Sequence, residues 1–305
     1  MGRNINKTAA LAKKLGVHQY YSNIDDLLND ENINAIYIAT PPGLHLEQAQ
    51  KCCEAKLPTY IEKPIARNYK EALQIVDMYE RAGVPLYVAH FYRALPKFIK
   101  IKELLENNVI GKVCEVDFKL DRKYHHSILE TWLYDTEISG GGKFYDIAPH
   151  SIDIMVYLFG KFTEVYGIAT NNVDDYKVED IVTMTFKTEK EIIGTANFNS
   201  ISLEKSDVMI ITGTEGKMKF SIHGDSSICI IKDDKIQNIE IENPKIEQEN
   251  MIKNVINSLI SGENLNICTA DDAIETYRIM DKVLEKYYNG RNDDFWNRIN
   301  TWNSK

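Results

Sequence analysis

The sequence predicts two successive architectures. An α/β domain on a parallel sheet spans residues 1–95, and an α+β domain spans residues 96–305, with a mainly antiparallel open sheet and helices on one face. Three observations carry this. Short apolar runs alternate with amphipathic stretches through the first ninety or so residues, the rhythm of βαβ units. After Gly111 the apolar period drops to two and recurs in segments separated by turn residues. The length, 305 residues, exceeds one ordinary core and falls short of three.

The elements follow in order. Residues 6–15 place Ala9, Ala10, Leu11 and Leu15 at helical spacing, with Gly16 as the C-terminal stop. An extended stretch at 18–21 leads to a short helix over 24–28, capped by Ser22 or Asn23. The run from Ala35 to Ala39 ends at Pro41-Pro42 and has the length of a buried parallel strand. A helix over 46–55, a strand over 59–61, a helix over 68–82 closed by Gly83 and a strand over 85–89 continue the alternation. In the second domain Cys114, Val116, Phe118 and Leu120 alternate with Glu115, Asp117 and Lys119. A helix over 151–159 follows, then strands near 165–169, 181–186, 192–198, 208–212, 218–222 and 228–232. Two amphipathic helices close the chain, one presenting Ile252, Val255, Ile256 and Leu259, the other Ala273, Tyr277, Met280 and Leu284. Helices on one sheet face leave an apolar face for a partner, so a homo-oligomer, dimer or tetramer, is expected.

Composition narrows the function classes. Apolar residues are 44% and charged residues 27%, near average usage, and no apolar run is long enough to cross a bilayer. A net charge of -9 argues against nucleic acid as the main partner. The five cysteines are scattered and lack Cys-x-x-Cys spacing, so they read as reduced core residues rather than a metal site. The first residues lack a charged-then-apolar signal pattern, and a cytoplasmic location is expected.

Three segments concentrate reactive residue types: Ala39-Thr40-Pro41-Pro42 with His45, then Glu62-Lys63-Pro64, then Gly140-Gly141-Gly142 leading to Asp146 and His150. The first two lie just past the carboxyl ends of predicted parallel strands, the edge where open α/β sheets bind ligands. The third belongs to the second domain, so a cleft between domains can gather all three. Asp146 and His150, four apart at the start of a helix, can share one face and form a hydrogen-bonded pair. Plainer readings stand beside these. By type alone Lys63 is a solvated loop residue, Asp146 a helix cap beside a surface imidazole, and the glycines a flexible turn. Trp132 reads as an apolar anchor, and His125 and His126 as surface loop within reach of the cleft.

Taken in order, Ala-Thr-Pro-Pro-x-x-His at 39–45, Glu-Lys-Pro at 62–64 and Gly-Gly-Gly-x-x-x-Asp-x-x-x-His-x-x-Asp at 140–153 resemble the successive signatures of the glucose-fructose oxidoreductase / inositol dehydrogenase (Gfo/Idh/MocA) family. The resemblance runs from about Arg3 to the helix ending near Tyr288 and includes Gly213-Thr214-Glu215-Gly216. Three motifs in order on the expected elements make coincidence improbable. The resemblance implies a Rossmann-type first domain, NAD or NADP as cofactor, and hydride exchange with a sugar, polyol or cyclitol. It implies cofactor contacts from Ala39, Thr40, Pro41, His45, Glu62 and Lys63, with Arg93 meeting a cofactor phosphate or merely a carboxylate. Lys63 resembles the lysine that touches both nicotinamide ribose and substrate. Asp146 and His150 resemble the residues that bind substrate hydroxyls, His150 being the general acid/base. The rival from another class is a non-catalytic sugar-binding or scaffold relative that has lost its cofactor. Retention of Lys63, Asp146 and His150 together argues against it.

The family opens with a strand, a Gly-x-Gly-x-x-Gly turn, a helix and a second strand ending in an acidic residue. No Gly-x-Gly-x-x-Gly occurs among these residues, and the usual acidic position is absent or occupied by Gly2. The resemblance therefore implies an incomplete parallel sheet as written, short by roughly thirty residues. A late start or an omitted segment is the favoured explanation over a natural truncation. The residue that separates NAD from NADP falls in that span, and Arg3 hints at tolerance for a 2′-phosphate.

Overall fold

The computed structural model describes residues 1–124, 132–173, 176–265 and 267–288. Cap chemistry sets the first helices. The Asn4 side chain accepts from the Lys7 N–H, and Gly16 turns left-handed at φ 68°, bounding α1 (Ile5–Leu15). Asn23 caps α2 (Ile24–Leu28). The expected alternation then appears as β1 (Ile36–Ile38), α3 (His45–Glu54), β2 (Thr59–Ile61), α4 (Tyr69–Ala82) and β3 (Leu86–Val88). The three strands form a parallel sheet with β2 in the centre and buried throughout, while Tyr37 of the outer strand β1 is half exposed.

The second region holds α5 (Pro96–Glu106), β4 (Val113–Lys123), α6 (Thr136–Ser139) and α7 (Lys143–Phe159). Helix α7 starts at Lys143, well before the expected residue 151. Pro149 lies inside it, and an interior proline with three glycines upstream reads as loop in sequence. After it come β5 (Phe162–Thr170), β6 (Ile181–Thr188), β7 (Ile193–Ser202), β8 (Ser206–Gly213), β9 (Lys217–Phe220), β10 (Ile228–Lys232) and β11 (Lys235–Ile239). With β4 they make one sheet in the order β11-β10-β9-β8-β4-β7-β6-β5, antiparallel except where β4 meets β7. Strand β11 is an addition to the expected set, joined to β10 through Asp233 and Asp234, both at positive φ, a hairpin turn.

Helices α8 (Glu249–Ser261) and α9 (Ala270–Leu284) close the fold. Helix α9 packs on α7 and β5 and also on α4 and β3 of the parallel layer. Gly167 permits the β5 contact, because a Cβ there would lie 2.6 Å from Val283 Cγ1. On the other side the Tyr277 hydroxyl accepts from the Ile65 N–H at 3.0 Å, and Asp281 accepts from the Tyr69 N–H at 2.8 Å. One apolar core runs through both sheets.

Three expectations need correction. The open sheet face carries exposed Tyr166, Ile168 and Ile193 at one end, but its middle is polar, with Asp117, Lys119, Thr195 and Asn197. Trp132 is 40% exposed, so it is no core anchor. All five thiols are unbridged, but only Cys52, Cys53 and Cys268 lie in the core; Cys229 is half-buried, and Cys114 is exposed at the start of β4. Among the described residues no helix is long and apolar enough to cross a membrane, and no group of side chains is arranged to hold a metal ion.

Candidate active site

Strands β1 and β2 run in register, so the loops that follow them leave the same sheet edge. His45 ties them together: Nε2 lies 2.7 Å from the Thr40 carbonyl and Nδ1 3.1 Å from the Ile65 carbonyl. Its ring is 1% exposed, and burial holds its pKa below the ordinary imidazole value. The expectation that His45 touches a cofactor is thus corrected: it is a clamp beneath the loops. Glu62 accepts from the Tyr37 hydroxyl at 2.5 Å, from Gln248 Nε2 at 2.7 Å and from the Lys63 N–H at 3.0 Å. Ala39, Thr40 and Pro41 remain on the edge, exposed or half-buried, with the Thr40 hydroxyl donating to Gln48.

Lys63 crosses to the first turns of α7. Its ammonium donates to the Asp146 carbonyl at 2.7 Å and to Asp146 Oδ1 at 3.3 Å, while Lys143 Nζ lies 4.0 Å from Asp146 Oδ2. The glycines ahead of this helix are packing residues rather than a loose turn. Gly140 adopts φ +86°, and a Cβ there would sit 2.3 Å from the Arg67 carbonyl oxygen. That close approach brings α7 against the segment that follows Lys63.

The expected Asp146–His150 pair does not form. The Asp146 carboxylate turns to Lys63 and Lys143, cations that outcompete a neutral imidazole. His150 instead stacks on Tyr92, with ring centroids 4.3 Å apart, and meets the edge of Phe91. Burial, reinforced by Lys63 and by His223 and His90, pushes its pKa well below the ordinary imidazole value. Nδ1 of His150 is buried without a hydrogen-bond partner among the described residues.

Three of these neighbours escaped sequence reasoning. His223 lies beside His150, its Nε2 2.9 Å from the Ser151 hydroxyl and its Nδ1 3.2 Å from the Tyr92 hydroxyl. Lys97 secures the loop that carries it, donating to the Ser221 and Asp225 carbonyls. Tyr92 follows β3, and Ser221-Ile222-His223 follows β9; neither belongs to a recognisable motif. A histidine just past a strand end was the only signal.

Arg93 takes the carboxylate alternative. It is 2% exposed, with Nε at 3.1 and 3.0 Å and Nη2 at 2.8 Å from Asp153 and Nη1 at 3.1 Å from Asp272. This corrects its assignment to a cofactor phosphate, because its donors are spent inside the core. Beside Asp146, Tyr134 packs against Tyr176 at 4.7 Å between centroids and forms an aromatic wall. His125 and His126 lie outside the described residues. The centre thus joins a cation, a carboxylate, neutral imidazoles and aromatic walls, a set able to bind a polyhydroxylated molecule and move its protons.

Comparisons with known proteins give the family and the fold. Residues 1–90 match the model described as "Oxidoreductase family, NAD-binding Rossmann fold", and residues 98–219 match the model of the GFO/IDH/MocA C-terminal domain. Oxidoreductase P35 of Formosa agariphila is 36% identical over 287 residues, covering 92% of this chain and 88% of that protein. Levoglucosan dehydrogenase of Pseudarthrobacter phenanthrenivorans is 29% identical over 167 residues, 54% of this chain and 43% of that protein. A solved levoglucosan dehydrogenase in complex with NADH and levoglucosan superposes with a TM-score of 0.83 at 20% identity, covering 95% of this chain and 87% of that one. The aldose-aldose oxidoreductase of Caulobacter crescentus, complexed with glycerol, superposes with a TM-score of 0.84 at 17% identity, covering 95% and 88%. These two structural likenesses establish the shared fold.

Proposed function

Since the chain belongs to the Gfo/Idh/MocA family of NAD-binding oxidoreductases, we propose that it exchanges a hydride between NAD or NADP and a hydroxyl-bearing carbon of a sugar, polyol or cyclitol. The observation that carries this reading is Lys63 at the sheet edge near a His150 that burial keeps neutral and whose ring nitrogens have no hydrogen-bond partner among the described residues. These residues fit the nicotinamide end of such a cofactor. Thr40, Pro41 and Glu62 would border it, and Lys63 would stand between it and the substrate. When bound, the cofactor supplies an acceptor or donor for the hydride.

The chain's own groups handle the rest. In the oxidative direction His150, neutral because it is buried, accepts the hydroxyl proton. The Lys63 ammonium stabilises the negative charge developing on that oxygen, and its two contacts with Asp146 fix its position. Phe91 and Tyr92 hold the imidazole plane and exclude water. The Tyr134–Tyr176 wall suits the apolar face of a sugar ring. The wider reading includes a cytoplasmic location, in keeping with unbridged thiols, and self-association through the open sheet face at Tyr166, Ile168 and Ile193.

The test uses sugars, polyols and cyclitols carrying deuterium on the candidate carbon, with NAD+ and NADP+ in turn. Deuterium should appear on the nicotinamide and vanish with His150→Ala. Label that never reaches either cofactor with any of these substrates rejects the reading.

A further inference from the structure

The same cleft holds a charge imbalance that neutral sugars do not use. The chain carries net charge -9, yet the cations around Asp146 outnumber their partners. Lys63 and Lys143 share that one carboxylate, the first at 3.3 Å and the second at 4.0 Å. Arg122, near the end of β4, has no ion pair or hydrogen bond from its side chain among the described residues, and its Nε is buried without a partner. Of the nearby acids, Asp121 pairs with Lys119 at 3.0 Å and Asp207 accepts from the N–H groups of Ile222 and His223, while Glu247, exposed, acts on Tyr92 from the rim.

Arg122 belongs to the same centre. It lines a small depression with Lys143, Phe144 and Ile147, which flank Asp146 on α7. It also acts electrostatically on His223 and Tyr92, the groups packed against His150. Val116, Phe118 and Leu120 are buried along β4, and half-buried Arg122, where the pairing with β7 becomes irregular, lines the same depression as Leu120. A guanidinium left partly desolvated without an acceptor is costly, and carboxylate is the group its planar fork binds in pairs of hydrogen bonds.

We propose that Arg122, with Lys143 beside it, forms a subsite for a carboxylate on the substrate, which makes the preferred substrate an acidic sugar such as a hexuronate. The inference rests on the oxidoreductase reading for what happens to the sugar, but not for its binding. With the carboxylate held at Arg122, the ring lies along the cleft toward His150 and Lys63. Uncharged sugars leave the guanidinium unpaired and bind more weakly.

Calorimetric titration of the chain with D-glucuronate, D-galacturonate and D-gluconate, against D-glucose and D-galactose, reads the subsite directly without cofactor turnover. At least one acid should bind about ten- to a hundredfold more tightly than its neutral counterpart. Arg122→Gln should erase that preference, Arg122→Lys should keep part of it, and Lys219→Gln, exposed on β9, should leave it intact. Equal affinity for acids and neutral sugars, no binding of any acid at millimolar concentration, or a preference that survives Arg122→Gln overturns the proposal. Acid binding with no hydride transfer rejects the oxidoreductase reading alone. Hydride transfer from neutral sugars with no preference for acids rejects the carboxylate subsite alone.

Discussion

Two carboxylates on α7, two turns apart, live in opposite circumstances. Asp153 is 1% exposed and meets Arg93 through three contacts of 2.8 to 3.1 Å, with the guanidinium also reaching Asp272. Asp146 has a side chain 31% exposed and is divided between Lys63 and a more distant Lys143. Along the same helix, His150 has a buried nitrogen with no partner among the described residues, while His45, also buried, has both ring nitrogens against carbonyls. The lesson is about spare valence. Asp153 and His45, whose hydrogen bonds are made inside the protein, hold the fold together, while Asp146 and His150 are the groups we propose to meet a ligand.

That contrast can be broken by substitution. The largest effect belongs to the open end: Lys63→Ala and His150→Ala should each lower kcat/KM by about two to four powers of ten on a confirmed substrate, measured by steady-state kinetics. Their urea midpoints should move little. The closed end should behave in reverse. Arg93→Ala or Asp153→Ala leaves a charge stranded in the core and should cost about 3–5 kcal/mol in denaturant unfolding. Joint replacement by Met and Leu should cost clearly less than the sum of the single changes. If either single variant, Arg93→Ala or Asp153→Ala, stays as stable as the parent, the distinction between the two ends of α7 collapses.

Smaller effects sharpen the picture. Gly140→Ala places a side chain at φ +86° against the Arg67 backbone and should cost about 1–3 kcal/mol in a thermal melt. The smallest is a slope with pH. His223, bonded to Tyr92 and Ser151, has its pKa lowered to about 3 from 6.5, chiefly by burial and further by the charges of Arg122, Lys63 and Lys97. The unfolded chain therefore takes up a proton that the folded chain refuses, so the stabilisation is complete above pH 6.5 and is lost as pH falls from there toward 3. Urea midpoints compared at neutral and mildly acid pH should show this decline, and His223→Asn should flatten it.

Much of this was legible before any coordinates. Periodicity located β1, β2 and α4, since apolar spacing and capping residues act locally, and the motif order pointed to Lys63 and His150. Partner choice was harder to read. Spacing put Asp146 and His150 on one face, but nothing local revealed that Lys63, from a sheet edge 83 positions away, would claim the carboxylate. Arg122 was readable in principle. Carrying the alternation of β4 two residues past Leu120 sets an arginine on the buried side, and ending the strand early hid it.

Helix α9 has a consequence for the birth of the molecule. Its Tyr277 hydroxyl receives the Ile65 N–H just after the Glu-Lys-Pro loop, and its Asp281 receives the Tyr69 N–H at the start of α4, clasps made across 212 positions of chain. Such distant pairings are among the last to close. While the ribosome is still adding residues, the early loops already exist but lack this buttress, so a nascent chain carries a nearly complete set of reactive side chains without their final alignment. The edge that carries Lys63 is finished only when α9, synthesised long after the loops, arrives beneath it.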